Sequence, residues 1–156
     1  MLTISSRRIS FVNLGVLFCI FIIGLSSSNK THSESYDGDV SRALFTTKLV
    51  KNEPENEVLI MANDNHNLYY FSEVKNMHGK TIYHRWEHRG EKVFERKFNV
   101  SKKSEKLISR YKLDPSKTGE WMVVITDERG WPIKATMFKY VKKGSFVGKG
   151  VLPIKH

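Results

Sequence analysis

Cysteine is nearly absent from this sequence of 156 residues: the single one, Cys19, lies inside an apolar run. The chain after that run therefore contains neither a disulfide nor a thiol nucleophile, which excludes a thiol enzyme. The serine hydrolase signature G-x-S-x-G is absent as well. No helical spacing of apolar residues continues over a useful length after residue 28, so the sequence does not predict a helical domain.

Residues 1–28 have the composition of a targeting segment. Arg7 and Arg8 precede an apolar run, residues 11–25, and three serines follow it. A basic start, an apolar stretch and small residues are typical of a secretory signal, while residues 9–28 together approach the length of about 20 that spans a bilayer. The sequence predicts export, with either a cleaved signal peptide or a membrane anchor formed by a transmembrane helix. A buried core helix is the alternative.

The rest of the chain has the pattern of a β-domain. Residues 29–40 are polar and are expected to form a linker. Short runs rich in β-branched and aromatic residues follow over residues 41–141, with turn residues between them. This pattern predicts an all-β fold, an immunoglobulin-like antiparallel β-sandwich of about seven strands. The runs are residues 41–50, 67–77, 81–88, 91–100, 106–113, 119–127 and 132–141.

The stretch HRWEH, residues 84–88, fits the pattern H-x-x-E-H of the inverzincin metalloproteases, in which two histidines bind zinc and the glutamate transfers a proton. On a helix, His84 and His88 would lie about 6 Å apart on one face. On a strand their Cα atoms would be about 13 Å apart, too far for one zinc ion. A metal-dependent hydrolase built on His84, Glu87 and His88 therefore requires a helix here.

The surrounding sequence favours a strand. Turn residues at His78-Gly79 and Arg89-Gly90 enclose a segment rich in Thr, Ile, Tyr and Trp that is too short for a zincin helix. On that strand Trp86 faces the core, as Trp121 does on a later strand. The sequence therefore predicts no metal site, no cofactor and no catalytic residue.

Two further patterns resemble functional sites without meeting their requirements. Glu87 and Glu91 are close to several arginines, so we interpret them as partners in cross-strand ion pairs rather than as a catalytic couple. The run GSFVGKG, residues 144–150, lacks the Ser or Thr of a phosphate loop, and Pro153 prevents a following helix. We interpret this run as flexible, within a basic C-terminal tail formed by residues 142–156.

Several separated motifs occur in the order and spacing of a known family. They are Arg42-Ala43, Thr46-Thr47, Glu53-Pro54, Tyr70-Phe71, Gly79, His84-Arg85-Trp86, and Gly119-Glu120-Trp121 ahead of Asp127. Together they resemble the bacterial family catalogued as domain of unknown function 2914, over about residues 41–141. The chain departs from that pattern near Ser109-Arg110-Tyr111. The resemblance implies a short β-rich domain at or outside a bacterial membrane, and it implies no activity.

The chain carries 26 Lys and Arg against 16 Asp and Glu, a net charge of +10. The surplus is diffuse, spread over residues 89–117 and the tail. Such a charge favours anionic partners, namely phospholipid head groups, acidic glycans or acidic protein surfaces. We do not expect a nucleic acid partner, because an exported domain rarely meets one.

Trp131 differs from the other tryptophans because it follows Gly130 at a predicted hairpin tip, ahead of Pro132. An exposed aromatic side chain beside Arg129 can stack on a sugar ring or contact a partner protein. The alternative is a ring that folds over the end of the sandwich. The candidate contact residues are Trp131, Arg129, Arg85, Arg96 and Tyr83.

These features predict a non-enzymatic binding or adaptor domain of the cell envelope, either periplasmic or anchored in the inner membrane and facing the periplasm. Its expected partner is another envelope protein, contacted through exposed strand edges and a basic face. The alternative is a carbohydrate-binding module for an anionic envelope polymer.

Overall fold

The structure, a computed structural model, describes residues 38–145 and 150–154. All regular elements in these residues are β-strands. The predicted signal or anchor segment, residues 1–28, lies outside them, as does most of the predicted linker. Within the described residues, no helix is long and apolar enough to cross a membrane.

The described chain contains seven long and five short strands. In chain order they are β1 (Asp39–Thr46), β2 (Leu49–Val50), β3 (Glu53–Pro54), β4 (Asn56–Val58), β5 (Ile60–Ala62), β6 (Asn67–Lys75), β7 (Thr81–His88), β8 (Glu91–Asn99), β9 (Ser104–Lys112), β10 (Gly119–Asp127), β11 (Pro132–Val141) and β12 (Val151–Pro153). The seven long strands, β1 and β6 to β11, each overlap one of the seven runs predicted from the sequence, with ends that differ by up to four residues. The short strands were not predicted.

The long strands form two sheets. The three-stranded sheet has the order β1-β6-β9, and the five-stranded sheet has the order β5-β11-β10-β7-β8. All pairs of long strands are antiparallel, whereas the short β5 pairs with β11 in parallel. The first, second and fifth long strands thus lie in one sheet and the others in the second, an immunoglobulin-like order. The predicted β-sandwich is confirmed.

The β7–β8 hairpin turns through Arg89 and Gly90, whose φ angles are 53° and 85°. Two central residues with positive φ are typical of a type I′ turn, whose twist matches the right-handed twist of the flanking strands. His88 pairs with Glu91 across this turn. The turn predicted at Arg89-Gly90 therefore sets the pairing at the start of the hairpin.

The core between the sheets is built mainly from aromatic side chains. Trp86, Trp121 and Tyr70 are fully buried. The ring of Phe45 lies 5.0 Å from the ring of Tyr70, 5.6 Å from that of Trp86 and 4.7 Å from that of Phe138, measured between centroids. Removing such a side chain costs about 3–5 kcal/mol. The inward orientation predicted for Trp86 and Trp121 is confirmed.

Trp121 also fixes the connection between β9 and β10. Its indole N–H donates a hydrogen bond to the backbone carbonyl of Lys117, at 2.9 Å. A tyrosine hydroxyl makes the equivalent contact near the start of the sixth strand in immunoglobulin domains. The buried indole therefore both fills the core and satisfies a carbonyl of the loop that enters β10.

The C-terminal segment differs from the prediction. β12 pairs antiparallel with β4, and the carbonyl oxygen of Gly150 accepts hydrogen bonds from Leu59 N and Ile60 N, both at 2.9 Å. A Cβ atom at position 150 would collide with the carbonyl oxygen of Ile60, so this approach requires glycine. Pairing with a distant strand thus orders residues 150–153 of the predicted tail, and the interpretation as flexible is wrong at Gly150.

Candidate functional site

Residues 84–88 lie on β7, which confirms the strand interpretation of HRWEH. Alternation along the strand directs His84 into the core, where it is fully buried, and directs Glu87 to the outer face of the five-stranded sheet. These two side chains therefore cannot act on one zinc ion. Across the part of the chain that the structure describes, no three His, Cys, Asp or Glu side chains are grouped so as to hold a metal ion.

His84 belongs instead to a buried polar network that links the two sheets. Its Nε2 lies 2.9 Å from the hydroxyl of Ser72 on β6, and its Nδ1 lies 3.0 Å from the hydroxyl of Ser109 on β9. The indole N–H of Trp86 donates to the same Ser109 oxygen at 2.9 Å. All four side chains are fully buried, and the network satisfies both nitrogens of the imidazole.

Burial holds the pKa of His84 well below its ordinary value of 6.5, at about 3, and the positive charge of Arg96 contributes to this lowering. The imidazole is therefore neutral at neutral pH. Because a side chain without access to solvent cannot reach a substrate, His84 has no route to catalysis. Any binding site must be sought on the surface.

A surface cavity on the outer face of the five-stranded sheet brings together several of the predicted contact residues. Its volume is about 320 Å³, at the lower end of the range of ligand pockets. The lining residues come from β7, from β8, from the end of β10 and from the turn that follows it. They are Tyr83, Arg85, Glu95, Thr126, Asp127, Glu128, Arg129 and Gly130.

Asp127 organises the turn at one end of this cavity. Its Oδ1 accepts hydrogen bonds from Arg129 N at 2.9 Å and from Trp131 N at 2.8 Å. Its backbone N–H donates to the carbonyl of Trp131 at 3.0 Å. Gly130 adopts a φ of 81°, which glycine reaches without strain. The backbone of the tip is therefore held by Asp127 and does not depend on contacts of the Trp131 ring.

Trp131 is 69% exposed, the highest value among the large hydrophobic side chains that the structure describes. The ring therefore does not fold over the end of the sandwich. It stands one residue beyond Gly130, at the rim of the cavity rather than in its lining. An indole presented in this way costs little conformational entropy when a partner covers it, because its backbone is already ordered.

Residues 79–140 match the model of a family described as protein of unknown function, DUF2914. This segment belongs to the DUF2914 family. The resemblance seen over residues 41–141 is confirmed for this part. The DUF2914 segment extends from the loop before β7 almost to the end of β11, so it contains every residue of the cavity and Trp131. No curated protein matches the sequence.

Within the DUF2914 segment, the structure separates Arg96 from the other predicted contact residues. An irregularity in the β7–β8 pairing between Trp86 and Glu87 inserts one extra residue on β8. Arg96 consequently pairs with His84, on the core side of the sheet, and its guanidinium lies 5.3 Å from the centre of the Phe98 ring. Without this bulge, Arg96 would lie opposite Tyr83 on the outer face.

The same bulge brings Glu95 opposite Arg85 on the outer face. The sequence did not indicate Glu95 as a cavity residue, because an uninterrupted count from the Arg89-Gly90 turn places it opposite His84. Nor did it indicate Asp127 and Glu128. The turn signal Asp127-Glu128-Arg129-Gly130 was visible in the sequence, and its proximity to β7 follows only from the pairing of β10 with β7.

The cavity of the DUF2914 segment has no surplus of positive charge. Two arginines line it, Arg85 and Arg129, against three carboxylates, Glu95, Asp127 and Glu128. Arg85 also forms an ion pair with Glu87, with its Nε 2.6 Å from Oε1. The predicted cross-strand pairing of Glu87 is therefore wrong: the ion pair runs along β7, because alternate residues of one strand share a face.

Proposed function

We propose that this domain is a non-catalytic binding module that contacts another protein of the bacterial envelope through the tip of the β10–β11 hairpin. The observation that carries the proposal is the exposure of Trp131 on a turn whose backbone is held by Asp127. Tryptophan dominates the energetics of many protein interfaces when a partner excludes water from it.

The surroundings of Trp131 have the composition of an interface rim. Tyr83, Arg85 and Arg129 lie in the adjacent cavity with carboxylates between them. Tyrosine and arginine are enriched at interfaces, and a mixture of charges provides directional contacts around a hydrophobic centre. The partner surface that fits best is one with an apolar pocket for the indole and charged groups of both signs around it.

Two features of the chain support a binding rather than a catalytic role. Of the two histidines in the motif typical of a hydrolase, His84 is buried between the sheets and neutral, and the ring of His88 lies against Trp121 with its Nε2 3.1 Å from the carbonyl oxygen of Thr118. The accessible cavity contains both arginines and carboxylates, and Arg85 is already paired with Glu87. The location in the envelope rests on the composition of residues 1–28 and on the bacterial family that the chain resembles.

A carbohydrate-binding module is the second candidate, favoured by the exposed indole beside a polar cavity. The balanced charges of the cavity favour a neutral sugar unit at this position over an acidic one. An anionic polymer would need the basic surfaces elsewhere on the domain.

The protein partner can be tested by co-purification of the full chain from bacterial membranes in mild detergent. We expect Trp131→Ala to abolish recovery of a specific stoichiometric partner, because the central contact of the interface is lost. Val50→Ala is the matched control: Val50 is an exposed apolar residue, 41% accessible, on the short β2–β3 hairpin. The control variant is expected to retain the partner.

A photo-crosslinking residue placed at position 131 should form an adduct with the same partner in cells, and one placed at position 50 should not. Recovery of the chain alone, or equal recovery with both alanine variants, would contradict the protein-binding proposal. Binding of the wild type to immobilised neutral glycans, lost in Trp131→Ala, would support the carbohydrate module instead.

A further inference from the structure

The sandwich is open along one side and closed along the other. β8 is an edge of the five-stranded sheet and β9 an edge of the three-stranded sheet. The two strands lie on the same side of the sandwich, where they are in contact. On the opposite side β1 approaches β11, where Lys134 Nζ reaches the carbonyl of Val40 at 3.4 Å. The short strands β4, β5 and β12 also lie on that side, joined to β11 by the pairing of β5. β1 is the other edge of the three-stranded sheet, and β4 and β11 pack against it without backbone pairing. The long edge strands on the open side are therefore β8 and β9.

This open side carries the basic surplus of the domain. From Glu91 to Lys112, which spans β8, β9 and their connecting loop, there are eight Lys and Arg and three Glu. Six of the eight form no ion pair within 4.0 Å with a carboxylate of the described chain: Arg96, Lys97, Lys102, Lys103, Arg110 and Lys112. The charge noted as diffuse in the sequence is thus collected on one side of the molecule.

The carboxylates of this segment do not neutralise that surplus. Glu105 accepts hydrogen bonds from Ser101 N at 2.7 Å and Lys102 N at 3.1 Å, so it holds the β8–β9 loop in place. These bonds lower the pKa of Glu105, against the opposing effect of its partial burial. Glu95 forms an ion pair with Lys92, with its Oε1 3.7 Å from the Lys92 Nζ. Arg96 and Arg110 contact the rings of Phe98 and Tyr69, and Arg110 donates a hydrogen bond to Asn67 Oδ1. None of these partners carries a negative charge, so the surplus can still attract an external anion.

We propose that the open side of β8 and β9 receives an acidic, extended polypeptide segment of a partner, which adds to β8 as a further strand. An edge strand presents a row of unpaired N–H and C=O groups, and only another polypeptide matches that row of donors and acceptors. The surplus charge selects an acidic segment, because Arg96 and Lys97 flank the added strand on its two faces. Neither a sugar polymer nor a lipid surface satisfies both requirements.

The same charges oppose self-association through this edge. Two copies of β8 placed edge to edge would bring Arg96 and Lys97 against the same residues of the other copy, and like charges across strands are destabilising. Lysines on an edge strand commonly prevent aggregation for this reason. With an acidic strand the electrostatic interaction becomes attractive. Arg96 and Lys97 therefore both oppose pairing with a second copy of β8 and favour pairing with an acidic partner.

The test uses the full chain and a fluorescent peptide of alternating Glu and Val, matched in length to the nine residues of β8. We expect saturable binding by anisotropy that weakens with salt, and protection of β8 amides in hydrogen exchange. Lys97→Glu should weaken binding about fivefold or more, because one attraction becomes a repulsion. Lys139→Glu on β11 is the control with the same charge change and is expected to bind as the wild type does.

Two control peptides separate strand addition from plain charge attraction. An analogue with N-methylated alternate amides keeps its carboxylates but cannot pair with β8, and a Lys-Val peptide has the opposite charge. Neither is expected to bind. Equal binding of the N-methylated analogue, equal loss in Lys97→Glu and Lys139→Glu, or complete competition by anionic phosphatidylglycerol vesicles would each overturn the proposal.

The peptide test is independent of the proposed contact through Trp131. Trp131→Ala should bind the acidic peptide as the wild type does, because Trp131 lies at the tip between β10 and β11. Loss of the membrane partner in Trp131→Ala with retained peptide binding would leave both proposals standing. Loss of peptide binding in Trp131→Ala would overturn the assignment of the acidic strand to β8.

Discussion

His84 occupies its place in the core as a hydrogen-bonding ring rather than as a cation. A neutral imidazole has one N–H donor and one acceptor nitrogen, which suits two serine hydroxyls that can each donate or accept. The protonated ring has two donors, and the Ser109 oxygen already accepts a hydrogen bond from Trp86. Protonation would therefore add a buried charge and remove an acceptor from the network.

Acid should destabilise the domain through His84. The unfolded chain binds a proton at this residue with a pKa near 6.5, whereas in the folded state the pKa is about 3. Between these values the unfolded state binds more protons, so the free energy of unfolding falls as the pH is lowered. From pH 7 to pH 5 we expect a loss of about 2 kcal/mol, measurable by urea denaturation at constant ionic strength.

His84→Gln provides the control for this pH dependence. Glutamine can still hydrogen-bond Ser72 and Ser109 but does not titrate, so the variant should be less stable at pH 7 and change less between pH 7 and pH 5. Carboxylates such as Glu53 and Glu105, whose pKa values lie below 4.5, contribute little in this window. The same pH dependence in both proteins would show that another group is responsible.

The sequence predicted the position of His84 on a face shared with Trp86, but not its partners. Ser72 and Ser109 lie 12 and 25 residues away along the chain and belong to the other sheet. Ser109 stands in the segment that departs from the family pattern. The periodicity of a strand does not predict a hydrogen bond between two sheets, because that bond depends on how the sheets pack against each other.

At the scale of elements, one extra residue decides which side chains of β8 face the cavity. The bulge beside Trp86 moves Glu95 to the outer face and Arg96 to the core side. A strand has a period of two, so a shift by one residue exchanges its faces. Strand positions were therefore predictable from composition and turn signals, whereas the distribution of β8 charges between the faces was not.

Gly150 determines whether β12 can pair with β4. We expect Gly150→Ala to destabilise the domain by about 1–2 kcal/mol, because the added Cβ displaces the segment from the Leu59 and Ile60 amides. Limited proteolysis should then remove the C-terminal residues faster than in the wild type. Val151→Ala is the control, since Val151 is 38% exposed and its truncation should change stability by less than about 0.5 kcal/mol.

At the scale of the whole molecule, two different surfaces are presented. The cavity beside Trp131 has opposite charges in near balance, while the β8–β9 side has a surplus of five positive charges between Glu91 and Lys112. The first suits a partner with an apolar pocket and mixed charges, and the second an acidic strand. A domain with both surfaces can hold two partners, or two parts of one partner, at the same time.

The fluorescence of the three tryptophans distinguishes the core of the domain from its surface. Trp86 and Trp121 are fully buried, whereas Trp131 is 69% exposed. Acrylamide should therefore quench part of the native fluorescence readily and leave the rest protected. In Trp131→Phe the readily quenched part should disappear and the emission maximum should shift to shorter wavelength. Unchanged quenching in this variant would mean that the Trp131 ring is covered.

The sequence by itself determined the number and approximate positions of the long strands, the inward tryptophans, the position of the β10–β11 turn and the exclusion of a zinc helix at HRWEH. These properties depend on the alternation of side chains along a strand and on the residues of the turns, both of which involve only residues that are close in the sequence. Only the tertiary structure decided the partners of His84, the face of Arg96, the pairing of β12 and the collection of positive charge on the open side. Each of these depends on contacts between strands distant in the chain, and a one-residue bulge or a single close approach of two backbones is enough to change them.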